Sequence, residues 1–437
     1  MIATALPSVT RYRVVAATVA LAGVTYLDRV CVGVLAPSIM ADLRITPIQM
    51  SFVFSAFAAA YALFEMPTAW WGDKVGGRRV LTRIVLWWSA FTMLTAAATS
   101  YAAMLVVRFL FGAGEAGAWP NAARVFSRWI PLRERGRVQG VFFAGAHLAG
   151  GLTPGLVALM ALYLPWRTIF VALGFVGLAW AGLWYRWFRD EPREHPSVNA
   201  AEADLIEKTR GLPPAIERHG TWSEVFRIPS LLPLCLQYVA NSYGYYFFIT
   251  WLPTYLAKAR GMSSTELAIF SGLPLTLSAI ADVTGGFTTD ALCRRFGVRN
   301  GIRAIGSVSY VFAAAAMLAG TLAANPRIGG TLIAVGGAFS MFTLAPSWST
   351  AIGLGGRNTA LLSSVMNTSG QVGAFFSPLV LAVIVDRTGN WSLPLHVLSG
   401  LYLMAAVCWL LIRPERPMPT IPAPLPHAPR PLPSGTP

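Results

Sequence analysis

The chain has 437 residues, of which 55% are hydrophobic and 12% charged, with mean hydropathy +0.55 and formal net charge +15. A soluble globular protein carries about 25% charged residues, so the composition indicates a helical membrane protein with several spans. The basic residues collect in alternate loops and form no stripe with interleaved aromatic residues. We therefore expect the lipid bilayer, and not nucleic acid, to be the partner of this positive charge.

Apolar runs near the length of a membrane span recur along the chain and predict an all-α membrane protein with twelve transmembrane helices in two six-helix pseudo-symmetric bundles. The predicted spans cover 12–36, 48–71, 80–99, 103–126, 138–162, 166–188, 230–256, 266–289, 303–323, 327–349, 358–384 and 392–413. The predicted domains are an N-terminal bundle, a central cytoplasmic loop, a C-terminal bundle and a disordered proline-rich tail, over 1–188, 189–229, 230–413 and 414–437.

Clusters of arginine follow the second, fourth and eighth predicted spans, whereas the loops at the other end carry few basic residues. By the positive-inside rule, both termini and the central loop should face the cytoplasm. We therefore expect a multi-pass protein of the inner (plasma) membrane, and we expect it to be a monomer.

The first span contains an acid and a base side by side, Asp28 and Arg29. Each charge within a membrane helix costs on the order of 2.5–3.5 kcal/mol, and such residues usually mark an ion or substrate pathway. Adjacent positions point about 100° apart on a helix, so the two side chains do not face each other. A functional role is favoured over a pair that only neutralises itself.

The fourth span carries Arg108 and Glu115, which lie on nearly one helix face but about 10 Å apart. Each is therefore expected to find a partner on the first span, and the four charges should form one compact, neutral set in a water-reached chamber. This set predicts proton-coupled anion transport: Asp28 and Glu115 load and release protons, and Arg29 binds a carboxylate through its two-pronged guanidinium group. The alternative is a buried network that only fixes helix packing.

An internal repeat relates the two halves. The segment GDKVGGRR at 72–79 follows the second span, and TDALCRRFG at 289–297 follows the eighth. Asp73 and Asp290 hold equivalent places, each ahead of a basic cluster. Two parallel six-helix halves are the plan of a rocking transporter with a site at mid-membrane. The residues predicted to act in conformational gating are Asp73, Arg78, Asp290 and Arg294.

The GDKVGGRR segment resembles the signature loop of the major facilitator superfamily, although Ala69 stands where glycine is usual. Within that superfamily the chain resembles the anion:cation symporter family, which includes galactonate and glucarate permeases, sialin and vesicular glutamate transporters. Four local patterns carry this likeness: YLDR at 26–29, RFLFGAGEAGAWP at 108–120, DEPREHP at 190–196 and FFITWLPTYL at 247–256. The resemblance supports roles in proton coupling for Asp28, Glu115 and Arg108.

The same resemblance implies that Tyr61, Trp348 and Asn367 contact the substrate, although ordinary packing is the alternative for the two aromatic residues. Asn241, Tyr245 and Gln371 are further candidates that could equally form bonds between helices. His147 lies in the fifth span near a position where sugar-acid transporters carry glutamine, so it either recognises the substrate, adds a titrating group or only joins helices. Asp282 is expected to line the cytoplasmic mouth near Asp290.

The sequence thus predicts a secondary active transporter that carries a small organic anion, a sugar acid or related carboxylate, together with protons by alternating access. Aromatic-carboxylate uptake and organophosphate exchange are the alternatives; the latter would favour a second buried arginine in the C-terminal half. No enzyme is expected, because the sequence has neither a metal-ligand cluster nor a nucleophile with a positioned base. Protons are the coupling ion, and no metal or other cofactor is expected.

Overall fold

The computed structural model describes residues 6–210 and 222–415, so parts of the predicted central loop and tail lie outside the described residues. Helices and their connections make up the described chain, with no β-strand in those two ranges. The first half contains α1 (Thr10–Leu43), α2 (Pro47–Val75), α3 (Gly77–Thr95), α4 (Tyr101–Glu115), α5 (Ala118–Trp129), α6 (Arg135–Ala161) and α7 (Trp166–Trp187). The central segment forms α8 (Ala200–Thr209) and α9 (Trp222–Phe226).

The second half contains α10 (Leu231–Thr250), α11 (Leu252–Lys258), α12 (Ser264–Leu322), α13 (Pro326–Met341), α14 (Leu344–Gly355), α15 (Thr359–Thr388) and α16 (Leu393–Leu411). The long α12 consists of two helices joined at Gly297, whose φ of 80° lies in the region that favours glycine. The turn there brings Gly301 against the backbone of Cys293. α12 therefore accounts for the predicted eighth and ninth spans.

By length and composition, eight stretches of the described residues can cross a membrane. Two of them supply two crossings each, because Gly272–Leu322 is broken at Gly297 and Pro326–Thr388 is broken at Gly356. The shorter helices α3 and α10 supply the others. The result is a fold with twelve crossings, as predicted.

Three of the predicted spans consist of two helices each. The fourth span divides into α4 and α5 at Gly117, which has a φ of 86°. The seventh and tenth spans divide before Pro253 and Pro346, which lie in the first turns of α11 and α14. Proline fits the first turn of a helix because its missing N–H would be unpaired there anyway.

The two halves meet where α6 packs against α12 and where α2 packs against α15. Asp73 at the end of α2 accepts hydrogen bonds from the backbone N–H groups of Ala360 (3.1 Å) and Leu361 (2.9 Å) in the first turn of α15. Asp290 in α12 accepts equivalent bonds from Gly136 and Arg137 in α6, both 2.9 Å long. Each carboxylate thus caps a helix of the opposite half, where unpaired N–H groups and the helix dipole favour negative charge.

These two caps hold the halves together at one end of the molecule, which we call the arginine-rich end because it carries the predicted basic clusters. Arg124 on α5 contacts Asp73, with 3.5 Å between Nε and Oδ1. Arg78 contacts Tyr185 and Asp190 of its own half, and Arg294 lies one turn beyond Asp290. Arg124, which contacts the first cap, was thus not among the residues predicted to act in gating.

Candidate functional site

A cavity of about 160 Å³ lies between the two halves and is lined by α1, α2, α5, α6, α10, α13, α14 and α15. All eight residues predicted to bind substrate line it: Arg29, Tyr61, His147, Asn241, Tyr245, Trp348, Asn367 and Gln371. A water molecule needs about 10–15 Å³ by a comparable measure, so the cavity holds on the order of ten waters or one small solute. Its position between the halves is that expected of a rocking transporter.

Arg29 is the one arginine among the cavity-lining residues. Its guanidinium group forms an ion pair with Glu115, and 30% of its side chain remains exposed while that of Glu115 is fully buried. The rings of Phe57 and Tyr61 flank the guanidinium carbon at 5.1 and 5.2 Å from their centroids. These rings fix the orientation of the cation without neutralising it, so Arg29 can still bind an anion.

Glu115 ends α4 directly before the break at Gly117. A carboxylate at the C-terminal end of a helix faces the negative end of the helix dipole, and its Oε2 atom has no hydrogen-bond partner. Arg29 is therefore the main compensation for this buried acid. Removing that partner would leave an uncompensated charge in the membrane interior, which is costly.

Asp28 and Arg108 are buried, with 1% and 2% exposure, and neither lines the cavity. Both oxygens of Asp28 lack a hydrogen-bond partner, and the Arg108 guanidinium carbon lies 4.2 Å from the ring centroid of Phe111. The four charges predicted to meet in one water-reached chamber lie within electrostatic range of one another, but three of them do not line the cavity. Arg29 alone reaches the cavity, because adjacent helical positions point about 100° apart and Asp28 turns into the bundle.

His147 and Asp282 form a second buried pair, with 2.5 Å between Nδ1 and Oδ2. The side chains are 8% and 0% exposed, and the contact joins α6 of the first half to α12 of the second. This position corrects the expectation that Asp282 lines the mouth near Asp290. The two aspartates are eight residues apart, so their places on α12 differ by about 12 Å along the helix axis.

Glu65 on α2 is a buried acid that the sequence analysis did not single out. Its oxygens accept hydrogen bonds from the amide of Asn367 (2.5 Å) and the hydroxyl of Thr368 (2.8 Å), both on α15. The sequence does contain a signal, since Glu65 is an isolated acid within the apolar second span and precedes Asp73 by eight residues. This spacing equals that from Asp282 to Asp290.

Hydrogen bonds also orient the remaining candidates. The Tyr238 hydroxyl receives a bond from the indole N–H of Trp348 (3.0 Å) and donates to Asn367 (3.3 Å). The amide of Asn241 donates to the backbone oxygen of Ser340 (2.9 Å), the helix-to-helix bond that its sequence position allowed. Tyr61 lies at the cavity wall, and its hydroxyl is buried without a hydrogen-bond partner in the described structure.

Residues 18–378 match the family model of the Major Facilitator Superfamily. A relative from Cupriavidus necator, named "Probable sulfoacetate transporter SauU", is 34% identical, and the match covers 90% of this chain and 91% of that protein. The "Hexuronate transporter" of Bacillus subtilis is 29% identical over 92% of this chain and 94% of its own length. Each of these relatives is named as a transporter, in agreement with the prediction that the chain is not an enzyme.

Solved structures share the fold at low sequence identity. The transporter FucP in its outward conformation superposes with a TM-score of 0.71 at 15% identity, covering 90% of this chain and 97% of FucP. The proton:xylose symporter XylE gives a TM-score of 0.72 at 12% identity, with 91% and 94% coverage. The twelve-helix architecture is thereby confirmed, and the chain belongs to the Major Facilitator Superfamily of membrane transporters.

Proposed function

We propose that the protein carries a small organic anion across the inner membrane in symport with protons. The observation that carries this proposal is the Arg29–Glu115 ion pair, in which the cation faces the cavity and the acid is fully buried. An entering carboxylate competes for Arg29, and a buried Glu115 that loses its cation must take up a proton to stay in an apolar interior. Anion binding and proton binding thereby favour each other.

Membrane electrostatics favours the same coupling. The positive-inside rule places the arginine-rich end and both termini in the cytoplasm. An anion that enters a cell with a negative interior works against about 2.3 kcal/mol per charge per 100 mV. One proton carried with a monoanion removes that cost. Alternating access then requires the caps made by Asp73 and Asp290 to open after loading.

The expected substrates are sugar acids and related carboxylates. The relatives are named for sulfoacetate, hexuronate and galactarate or glucarate, all small anions with a carboxylate group. The cavity wall offers hydroxyl and amide groups beside Arg29, including those of Tyr61, Asn367 and Gln371. Such groups suit a hydroxylated acid because they replace the hydrogen bonds that its hydroxyls lose on leaving water.

Aromatic carboxylates are the second candidate. Half of the cavity-lining residues carry aromatic rings, among them Phe57, Trp119 and Phe143. Organophosphate exchange has less support, since the lining residues contributed by the second half include no arginine or lysine. A phosphate ester would be expected to need more positive charge than Arg29 supplies.

Proteoliposomes with an imposed inward proton gradient test this proposal. We expect concentrative uptake of labelled glucuronate or galactarate that a protonophore abolishes. Thermal stabilisation of the purified protein by sugar acids, by aromatic acids or by phosphate esters separates the substrate classes, because a ligand stabilises the state that binds it. Uptake that equilibrates without responding to the proton gradient would contradict the coupling, and absence of uptake for every carboxylate would contradict the substrate class.

A further inference from the structure

The His147–Asp282 pair is not needed for the coupling described above. It joins α6 to α12, whereas Glu65 lies at the other contact between the halves, α2 to α15, and in the described residues no ion pair joins it to Arg29 or Glu115. His147 lines the cavity, while Asp282 is fully buried behind it. The pair therefore connects a buried acid to the solute cavity through one imidazole ring.

The internal repeat assigns Asp282 a counterpart in the first half. Glu65 and Asp282 each precede a helix-capping aspartate by eight residues, and each crosses to the opposite half, from α2 to α15 and from α12 to α6. Eight residues are a little over two helical turns, so each acid lies about 12 Å deeper than the cap of its own helix. The two acids therefore occupy equivalent depths in the two halves.

The partners of these two acids differ in kind. Glu65 accepts hydrogen bonds from the amide of Asn367 and the hydroxyl of Thr368, and neither donor titrates near neutral pH. Asp282 instead faces an imidazole, the one side chain whose unperturbed pKa, about 6.5, lies within the physiological range. Of the two equivalent positions, only that of Asp282 has a partner able to carry a proton.

The other side chains around His147 do not take up or release a proton near neutral pH. Tyr26 on α1 lies with its ring centroid 6.4 Å from that of His147, and Tyr245 on α10 lies at 6.0 Å. Phenols are neutral near pH 7. Arg29 lies 5.9 Å from the Tyr26 ring centroid and pairs with Glu115, and α12 contributes Asp282. Asp282 is thus the charged group in direct contact with the imidazole in the described structure.

We propose that His147 and Asp282 form a second proton-binding site, separate from Arg29 and Glu115, so that each transport cycle moves two protons and suits a doubly charged organic anion. This inference rests on the proposed function, because a second coupled proton presupposes a first. Two protons would make the transport of a dianion electrically neutral. A monoanion carried with two protons would be drawn inward by the membrane potential.

The proton balance follows from the contact between the halves. While the two side chains touch in this buried place, the imidazole carries a proton on both Nδ1 and Nε2 and its Nδ1–H donates to the ionised Oδ2, since an aspartate facing a neutral ring would leave one uncompensated negative charge in an apolar interior. When the halves part at the arginine-rich end, α6 and α12 separate and water reaches both groups. At a cytoplasmic pH above about 7, a hydrated imidazole is mostly neutral and a hydrated aspartate ionised, so the pair releases one proton to that side. When the contact closes, the cavity opens to the other side of the membrane and the ring takes one proton from that side, so each cycle moves one proton inward through this pair.

The test is the proton-to-substrate stoichiometry of the purified protein in proteoliposomes, measured from the equilibrium galactarate gradient that a known pH gradient and membrane potential sustain. We expect two protons for the wild type and one for the double variant His147→Gln/Asp282→Asn, which keeps polar groups of similar size. Without a pH gradient and with the interior clamped at −100 mV, losing one positive charge per cycle lowers the equilibrium accumulation of galactarate about 50-fold. Glu65→Gln is the matched control, since it changes the equivalent buried acid, and it should keep two protons.

Three results would overturn the inference: a wild-type stoichiometry of one, an unchanged stoichiometry in the double variant, or an equal loss in Glu65→Gln. If the double variant does not fold, the single variant His147→Gln is measured in the same way, because it removes the titrating ring: the inference requires one proton for this variant, and two would overturn it. Failure of the proposed function is distinguishable, because then the wild type would show no proton-dependent uptake at all.

Discussion

Arg29 and Glu115 form an ion pair whose two members face different surroundings: the acid is fully buried, whereas the base keeps 30% of its side chain exposed at the cavity wall. A solute can therefore reach the guanidinium group without first reaching the carboxylate. An anion that binds Arg29 from the cavity therefore reduces the charge compensation of the buried Glu115.

Replacing Glu115 by Gln should remove the proton that this residue couples, so that accumulation driven by a proton gradient falls sharply while exchange of substrate across the membrane remains. Glutamine keeps the size of the side chain and a hydrogen-bond acceptor for Arg29, but it cannot gain or lose a proton. The measurement compares gradient-driven uptake with counterflow in the same proteoliposomes. Undiminished accumulation in Glu115→Gln would rule out its part in coupling.

Replacing Arg29 by Ala should weaken anion binding by about 10- to 100-fold, the range for the loss of charge-assisted hydrogen bonds. Arg29→Lys should fall between that variant and the wild type, since lysine keeps the charge but loses the two-pronged geometry. Direct binding by calorimetry measures both. Retained affinity in Arg29→Ala would exclude this residue as the anion ligand.

Stability gives an independent check on the same ion pair. Arg29→Ala leaves Glu115 buried without its cation, so we expect the melting temperature to fall. Adding Glu115→Gln should restore much of it, because the orphaned charge is then removed as well. Simple additivity of the two changes would mean that the residues do not stabilise each other.

Asp73→Asn or Asp290→Asn should loosen the contact at the arginine-rich end. Each aspartate caps the first turn of a helix in the other half, and loss of a charged cap costs on the order of 1 kcal/mol, or about fivefold in the closed-to-open ratio. A cysteine introduced at the fully buried Ser364, one turn beyond the N–H groups that Asp73 caps, should then react faster with a soluble thiol reagent. Asp204→Asn, which alters an exposed acid on α8, is the control and should leave the rate unchanged.

The number and order of the transmembrane helices could be predicted from sequence because a membrane span leaves a long apolar run. The breaks inside three spans were harder to predict, since the apolar runs continue through Gly117, Pro253 and Pro346. Glycine and proline are common within membrane helices. Their presence alone does not say whether the backbone bends or breaks; neighbouring helices decide that.

Several polar cavity-lining residues, such as Arg29, Asn367 and Gln371, were predictable for a related reason: polar groups in an apolar span are costly and so are rarely incidental. Which of these residues contact one another was harder to predict from the sequence. Helical spacing indicated that Glu115 would find a partner on the first span without saying which residue, and the contact from His147 to Asp282 depends on how the two halves meet. The equal spacing of Glu65 and Asp282 from their capping aspartates can be read from the sequence, but only the structure shows that each acid contacts the opposite half.

The segment between α7 and α8 supplies a prediction on pH. His195 is buried there, with its ring centroid 4.8 Å from that of Trp187 and 5.7 Å from that of Trp129, and its Nδ1 accepts a hydrogen bond from the Ser197 N–H. Burial, followed by the positive charge of Arg189, lowers the pKa of His195 below its usual value.

A base whose pKa is lowered by folding binds fewer protons in the folded state than in the unfolded one, so its contribution to stability is present above a pH of about 6.5 and is lost as the pH falls below it. We therefore expect the melting temperature of the purified protein to drop between pH 7.5 and 5.5. His195→Asn keeps an acceptor near the Nδ1 position but cannot become charged, so its melting temperature should drop less over that range. An equal drop in both proteins would show that other groups account for the acid sensitivity, and an unchanged melting temperature in the wild type would mean that the imidazole is not held neutral by its surroundings.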